Sequence, residues 1–285
     1  MKSTITLNNG VAMPLIGYGV YKIAPEACSR CVQDAIAVGY RAIDTAQIYR
    51  NEEGVGEGWR ASGIHREDLF LTTKIWVSNS GYERAKRSID ESLRKLQTDY
   101  VDLLLIHRAY GDYYGTYRAM EEALKAGKVR TLGVSNFYYD RFPDLADNVE
   151  IVPAVNQIET SVFCQQKANR AICKRYNTIV TAWAPMAEGK NGLFTHPVLT
   201  EIGSVHGKTA AQVALRFLTQ QDIVVIPKSV HKVRMAENFN SLDFDLSAEE
   251  MARIEELDLD HGMIDPYHDF DALVVAQQKE QRLIL

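Results

Sequence analysis

Apolar, β-branched runs recur along the chain, and each is followed by a stretch with helical periodicity. The runs begin near Leu15, Tyr40, Leu69, Tyr100, Val129, Ala154, Thr178 and Asp222, so successive starts lie 25, 29, 31, 29, 25, 24 and 44 residues apart. All but the last spacing suit one strand plus one helix. The segment from Gly189 to Gly207 accounts for the long gap and reads as an inserted loop. Residues 101–106 (VDLLLI) and 223–226 (IVVI) are nearly continuous hydrophobes, as expected of parallel strands covered on both faces. Between the runs, Ala85, Ile89, Leu93 and Leu96 share one helix face, and Ala210, Val213, Ala214 and Phe217 share another. Ser247-Ala-Glu-Glu250 predicts a capped helix start. At the front, apolar residues around Asn9-Gly10 predict a hairpin with a two-residue turn.

Eight β-then-α units in one chain predict a (β/α)₈ TIM barrel of the α/β class, preceded by that hairpin and forming a single domain over 1–285. A doubly wound sheet would want a dinucleotide fingerprint after its first strand. Gly17-Tyr-Gly19 lacks the third glycine, and no strand leads into Gly54-Val-Gly56-Glu-Gly58. The barrel is the better reading.

Composition narrows the function classes. A net charge of −5 without a basic stripe argues against a nucleic-acid partner. Four cysteines are too few for a disulfide framework, and Cys28-Ser-Arg-Cys31 falls in an amphipathic helix with no second pair of ligands, so it reads as packing and no metal is expected. The N-terminus lacks a signal-like apolar core, and no stretch reaches the ~20 apolar residues that span a membrane. A soluble, cytoplasmic monomer is the expectation.

In a barrel of this type the chemistry lies at the C-terminal ends of the strands. The second strand ends at Asp44, with Tyr49 just beyond; the third ends at Lys74 and the fourth at His107. Each polar group follows directly on an apolar run. Together they suit proton delivery to an alkoxide forming from a ketone or aldehyde. Lys74 would lower the phenol pKa of Tyr49 from its usual ~10, Asp44 would orient Lys74, and His107 would hold the carbonyl oxygen. A hydride donor is still required, and side chains cannot supply one. After the eighth strand, Lys228, Ser229 and Arg234 would grip a dianionic phosphate at the start of a helix, with Arg234 and Asn238 on one face. Ser135, Asn136 and Gln157 suit a carboxamide, and Trp183 offers a plate for a flat ring.

Over nearly its whole length the chain resembles the aldo-keto reductase family. The likeness is carried by Asp44-Thr-Ala-Gln-Ile-Tyr49, Thr73-Lys74-Ile-Trp76, Leu104-Leu-Ile-His107, Gly133-Val-Ser-Asn-Phe137 and Ile226-Pro-Lys-Ser-Val230 with Arg234, Glu237 and Asn238. The bacterial diketogluconate-reductase-like and prostaglandin-F-synthase-like branches are most similar. The resemblance implies an NADPH-dependent carbonyl reductase with Tyr49 as acid, tuned by Lys74 and Asp44, and His107 positioning the carbonyl. It further implies that Ser135, Asn136 and Gln157 hold the carboxamide while Trp183 stacks on the nicotinamide. Lys228, Ser229, Val230 and Arg234 would take the 2′-phosphate segment, and Glu237 and Asn238 the adenine. Tyr21, Trp76, His107 and Arg108 would face a small-molecule carbonyl substrate.

Departures from the family pattern concentrate at that substrate side. His107-Arg-Ala-Tyr110 lacks a common proline, and Arg108 stands where Trp is common. Trp183-Ala184 replaces a Tyr-Ser pair, Tyr21 replaces a Trp, and the tail over 260–285 has no clear counterpart. Two alternatives are an accessory protein that binds cofactor without turnover and a Schiff-base aldolase using Lys74.

Overall fold

The computed structural model describes residues 3–264. Strands β1 (Thr4–Thr6) and β2 (Ala12–Pro14) form the leading antiparallel hairpin. Its connection is one residue longer than expected. Leu7 and Val11 still bond, at 2.9 Å, and Asn8-Asn9-Gly10 turn between them with Gly10 at φ +85°. A left-handed glycine closing a three-residue loop lets the strands keep their twist.

The barrel follows as β3 (Tyr18–Gly19), α1 (Pro25–Val38), β4 (Ala42–Asp44), α2 (Glu52–Ala61), β5 (Phe70–Ile75), α3 (Tyr82–Leu96), β6 (Leu103–Ile106) and α4 (Tyr113–Lys125). It continues through β7 (Leu132–Ser135), α5 (Arg141–Ala146), β8 (Val155–Glu159), α6 (Lys167–Arg175), β9 (Ile179–Trp183), α7 (Pro197–His206), α8 (Ala210–Thr219) and β10 (Val224–Val225). Helices α9 (Lys232–Phe239) and α10 (Ala248–Glu255) complete the described chain. Strands β3 to β10 pair in sequence order, all parallel. The sheet closes on itself: Gly17 N–H donates to Val225 O at 2.8 Å, Val225 N–H to Leu15 O at 2.9 Å, and Gly19 N–H to Pro227 O at 3.1 Å. A side chain at Gly19 would sit 2.9 Å from the Ile226 carbonyl, so this seam needs glycine.

Strand alternation decides which residues enter the barrel. Ala42, Phe70, Leu103, Leu105, Val155 and Val224 cluster with Ile5, Leu7 and Met13 of the hairpin. They are mostly the first residues of their strands, so the hairpin plugs the N-terminal end. Counting by two from them along each strand leads to Asp44, Lys74, His107, Gln157 and Glu159 at the other end. Leu71, Ile75, Leu104, Ile106 and Ile158, of opposite parity, pack in the outer layer beneath the helices.

One expectation changes here. The inserted segment is not all loop: Pro197 starts the ten-residue helix α7, which buries Leu199, Ile202 and Gly203. The glycine-rich 54–58 run is helical. Added side chains at Gly54 and Gly58 would strike α1, at 2.8 Å from Cys28 Cβ and 2.7 Å from Ser29 O, and one at Gly56 would lie 2.5 Å from Lys95 O. These glycines serve close helix packing. Cys28 and Cys31 are buried free thiols, and Cys28 lies in that contact. No helix among the described residues is long and apolar enough to cross a membrane. Of the distinctive tail, 265–285 lie outside the described residues.

Candidate active site

The C-terminal ends of the strands surround a cavity of about 690 Å³, within the usual range for small-molecule sites. Asp44, Tyr49, His107, Ser135, Asn136, Gln157 and Trp183 all line it. The inward parity of the strands explains why residues spread over much of the chain meet there.

Lys74 is fully buried beneath this cavity. Its Nζ donates to Asp44 Oδ1 at 2.5 Å and to the Thr45 carbonyl at 2.8 Å. The second carboxylate oxygen of Asp44 accepts from Gln157 Nε2 at 2.8 Å. Burial pulls the Lys74 pKa down, and the Asp44 carboxylate opposes that shift.

Tyr49 sits on a short helical turn after β4, with its ring centroid 5.1 Å from Lys74 Nζ. Its ring meets His107 edge-on at 5.7 Å and Tyr21 at 5.0 Å. The phenol is not made more acidic, contrary to the expectation from Lys74. Burial raises its pKa well above 10, the Asp44 carboxylate and Tyr21 add to the rise, and Arg108 partly offsets it. The reason is that Lys74 already spends its charge on Asp44, leaving desolvation to dominate. Tyr49 therefore remains a protonated phenol through the neutral range.

His107 is held far below its usual pKa by burial, then by the Lys74 and Arg108 charges, so its ring is neutral at pH 7. Its Nδ1 is buried and has no partner among the described residues. An unpartnered buried nitrogen is better borne as a lone pair than as an N–H, which favours the tautomer protonated on Nε2. Trp76 packs edge-on against this ring at 5.0 Å.

The carboxamide candidates form a linked set. Asn136, in the left-handed region at φ +60°, donates to the His107 carbonyl at 2.9 Å and to Ser135 Oγ at 3.0 Å. Its Oδ1 accepts from Trp183 Nε1 at 2.9 Å, which fixes the indole plate. Ser135 Oγ donates to the Gln157 carbonyl at 2.9 Å.

The phosphate candidates are more spread out. Lys228 lines the cavity; Ser229, Val230, Arg234, Glu237 and Asn238 lie beyond its lining, on and before α9. Lys228 and Arg234 are exposed cations with no ion pair among the described residues. That unspent charge fits an anionic group. Ser229 is buried, its carbonyl accepting from the Tyr18 hydroxyl. Glu237 accepts from Thr209 Oγ1 at 2.7 Å, and Asn238 is buried. Among the described residues no cluster of three or more His, Cys, Asp or Glu is placed for a metal.

Tyr21 and Arg108 line the cavity as expected of the substrate side, beside Trp76. Sequence reasoning missed several supports. Gln47 accepts from Trp76 N–H at 3.0 Å and donates to the Ser88 carbonyl at 3.2 Å, tying the Trp76 loop to α3. Buried Asn51 donates to the Val20 carbonyl at 2.9 Å and accepts from Thr45 Oγ1, also at 2.9 Å, which anchors the loop carrying Tyr21. Lys22 and Glu188 pair at 3.0 Å between the loops after β3 and β9. Met186, Phe194 and Ile264 supply apolar wall. The adjoining polar residues gave only weak sequence signals, because most of their partners lie 29 or more residues along the chain.

Residues 12–259 match the aldo/keto reductase family. The chain is 44% identical over 262 residues to a glyoxal reductase of Bacillus subtilis (strain 168), covering 91% of this chain and 94% of that one. It is 38% identical over 259 residues to a methylglyoxal reductase of Escherichia coli (strain K12), covering 90% and 94%. An aldo-keto reductase of Bombyx mori, solved in complex with NADP, superposes with a TM-score of 0.88 at 33% identity, covering 94% of this chain and 97% of that one.

Proposed function

The chain belongs to the aldo/keto reductase family, and from that premise we propose that it reduces aldehydes or ketones to alcohols with NADPH. The observation that carries this reading is the meeting of a protonated Tyr49 and a neutral His107 above the buried Lys74–Asp44 pair.

A hydride for the carbonyl carbon would come from NADPH when it is bound. Tyr49 holds a proton on its hydroxyl and gives it to the carbonyl oxygen as negative charge develops there. Lys74, held by Asp44 and the Thr45 carbonyl, offsets the buried Asp44 carboxylate, which would otherwise oppose the phenolate left behind more strongly. His107, neutral, donates a hydrogen bond to the same oxygen and orients it. Tyr21, Trp76 and Arg108 exclude water and shape the substrate side.

The cofactor fits the chain's donors. Ser135, Asn136 and Gln157 would hold its carboxamide and Trp183 would stack on the ring. Lys228, Ser229, Val230 and Arg234 would take the 2′-phosphate segment, with Glu237 and Asn238 at the adenine. Lys228 and Arg234, exposed cations with no ion pair among the described residues, are what favours a phosphorylated cofactor. The glyoxal and methylglyoxal reductases among its relatives make small dicarbonyls the first substrates to try. We read residues 1–285 as one barrel domain acting as a soluble monomer.

Loss of 340 nm absorbance with NADPH and a panel of aldehydes, ketones and dicarbonyls tests the reading. Turnover that depends on the Tyr49 hydroxyl supports it. Cofactor quenching of tryptophan fluorescence with no turnover across the panel would instead favour an accessory protein.

A further inference from the structure

Glu159 ends β8 and is 2% exposed. Two residues beyond Gln157, it keeps the inward face one step nearer the mouth. A carboxylate is costly to bury unless donors meet it, and here they are backbone amides from the far end of the described chain. Oε1 accepts from Met263 N–H at 2.7 Å and Ile264 N–H at 3.1 Å, and Oε2 from Ile264 N–H at 3.2 Å.

The same stretch is gripped from its other side. Lys190, in the inserted segment, donates to the Met263 carbonyl at 2.5 Å. Upstream, Leu259 N–H donates to Phe163 O at 2.9 Å, and Asp258 accepts from Gln165 N–H at 3.0 Å and pairs with Lys167 at 3.1 Å. Residues 258–264 are thus fastened to the loop after β8, and Ile264 reaches the cavity wall. The Lys190 and Lys167 ties use exposed ammonium groups and are weak in water, whereas the Glu159 bonds are part-buried and charge-assisted.

Resting on the reductase reading above, we propose that Glu159 is a positioning residue that holds Ile264 in the cavity wall and so sets which carbonyl substrates bind well. Glu159 is not itself part of the cavity lining; it acts through the backbone it binds. A two- or three-carbon carbonyl needs only the floor around Tyr49 and His107. A bulky aromatic aldehyde extends to the wall and depends on Ile264 being in place.

The test uses the full chain loaded with NADPH, comparing wild type with Glu159→Leu and Glu159→Gln. Amide hydrogen exchange is followed at Met263 and Ile264, and KM and kcat are measured for methylglyoxal and for 2-naphthaldehyde. Glu159→Leu is expected to speed exchange at both amides and raise the naphthaldehyde KM at least tenfold. Its methylglyoxal constants and NADPH affinity should stay within twofold. Glu159→Gln keeps one neutral acceptor oxygen and should fall between, and it decides the matter if the leucine variant does not fold. An equal rise in KM for both substrates, or faster exchange with no change in either KM, would overturn the proposal. If wild type reduces no carbonyl, the reductase reading fails with the substrate claim, while the exchange rates still show whether Glu159 anchors the segment.

Discussion

Asp44 and Gln157 lie 113 residues apart and share a 2.8 Å hydrogen bond across the barrel interior. Because Asp44 Oδ1 is taken by Lys74, the Gln157 amide saturates the carboxylate from its other side. The bond joins the proton-delivery group to the proposed carboxamide site. Gln157→Leu should therefore weaken cofactor affinity and also free one Asp44 oxygen. A change in the pH profile of turnover alongside the higher NADPH Kd would show that coupling; a change in Kd alone would deny it.

Tyr49→Phe removes one hydroxyl from a ring that His107 and Tyr21 already hold in place. Turnover should fall by about 10²–10⁴-fold, the usual worth of a positioned general acid. NADPH affinity, read by tryptophan quenching, should stay within twofold. A matching loss of affinity would count against Tyr49 as the proton donor.

Lys74→Met leaves the Asp44 carboxylate buried without its cation. Breaking such a pair from one side costs about 3–5 kcal/mol, readable as a shift in urea midpoint. Adding Asp44→Asn to Lys74→Met should recover part of that loss, since no unpaired charge then remains. Additive destabilisation in the double variant would mean that the two side chains do not interact as a pair. Because Nζ is pinned by two acceptors, borohydride should trap no substrate on Lys74 in the wild type.

His107 is neutral when folded because its pKa is depressed, whereas the unfolded side chain titrates near ~6.5. Below that pH the unfolded state binds the extra proton, so folding stability falls as pH drops. The slope from this one group is about 1.4 kcal/mol per pH unit until the folded pKa is reached. His107→Gln should flatten the acid side of the stability curve between pH 6 and 5. Turnover of the wild type should show no inflection near pH 6.5 from this residue.

Arg234 is exposed on α9 and has no ion pair among the described residues, so its removal should disturb little of the fold. Arg234→Ala should raise the Kd for NADPH at least tenfold and leave that for NADH within about threefold, since a charge-assisted contact is worth about 1.5–3 kcal/mol. Equal losses on both cofactors would remove Arg234 from the 2′-phosphate assignment.

The chain's own pattern determined the strand count, the order of βα units and the strand ends that carry chemistry. These follow from short-range rules: spacing reports one strand plus one helix, and a polar group directly after an apolar run marks Asp44, Lys74 and His107 as strand ends. The tertiary structure decided what those rules do not contain. It set the direction of the Tyr49 pKa, because desolvation depends on everything packed around the ring. It closed the barrel between residues 15–19 and 225–227 through backbone bonds that any sequence of suitable shape can make. It also brought Glu159 to the amides of Met263 and Ile264, 104 and 105 residues away. Period and motif record a residue's neighbours along the chain, whereas burial and long-range bonding arise only once the barrel has closed around them.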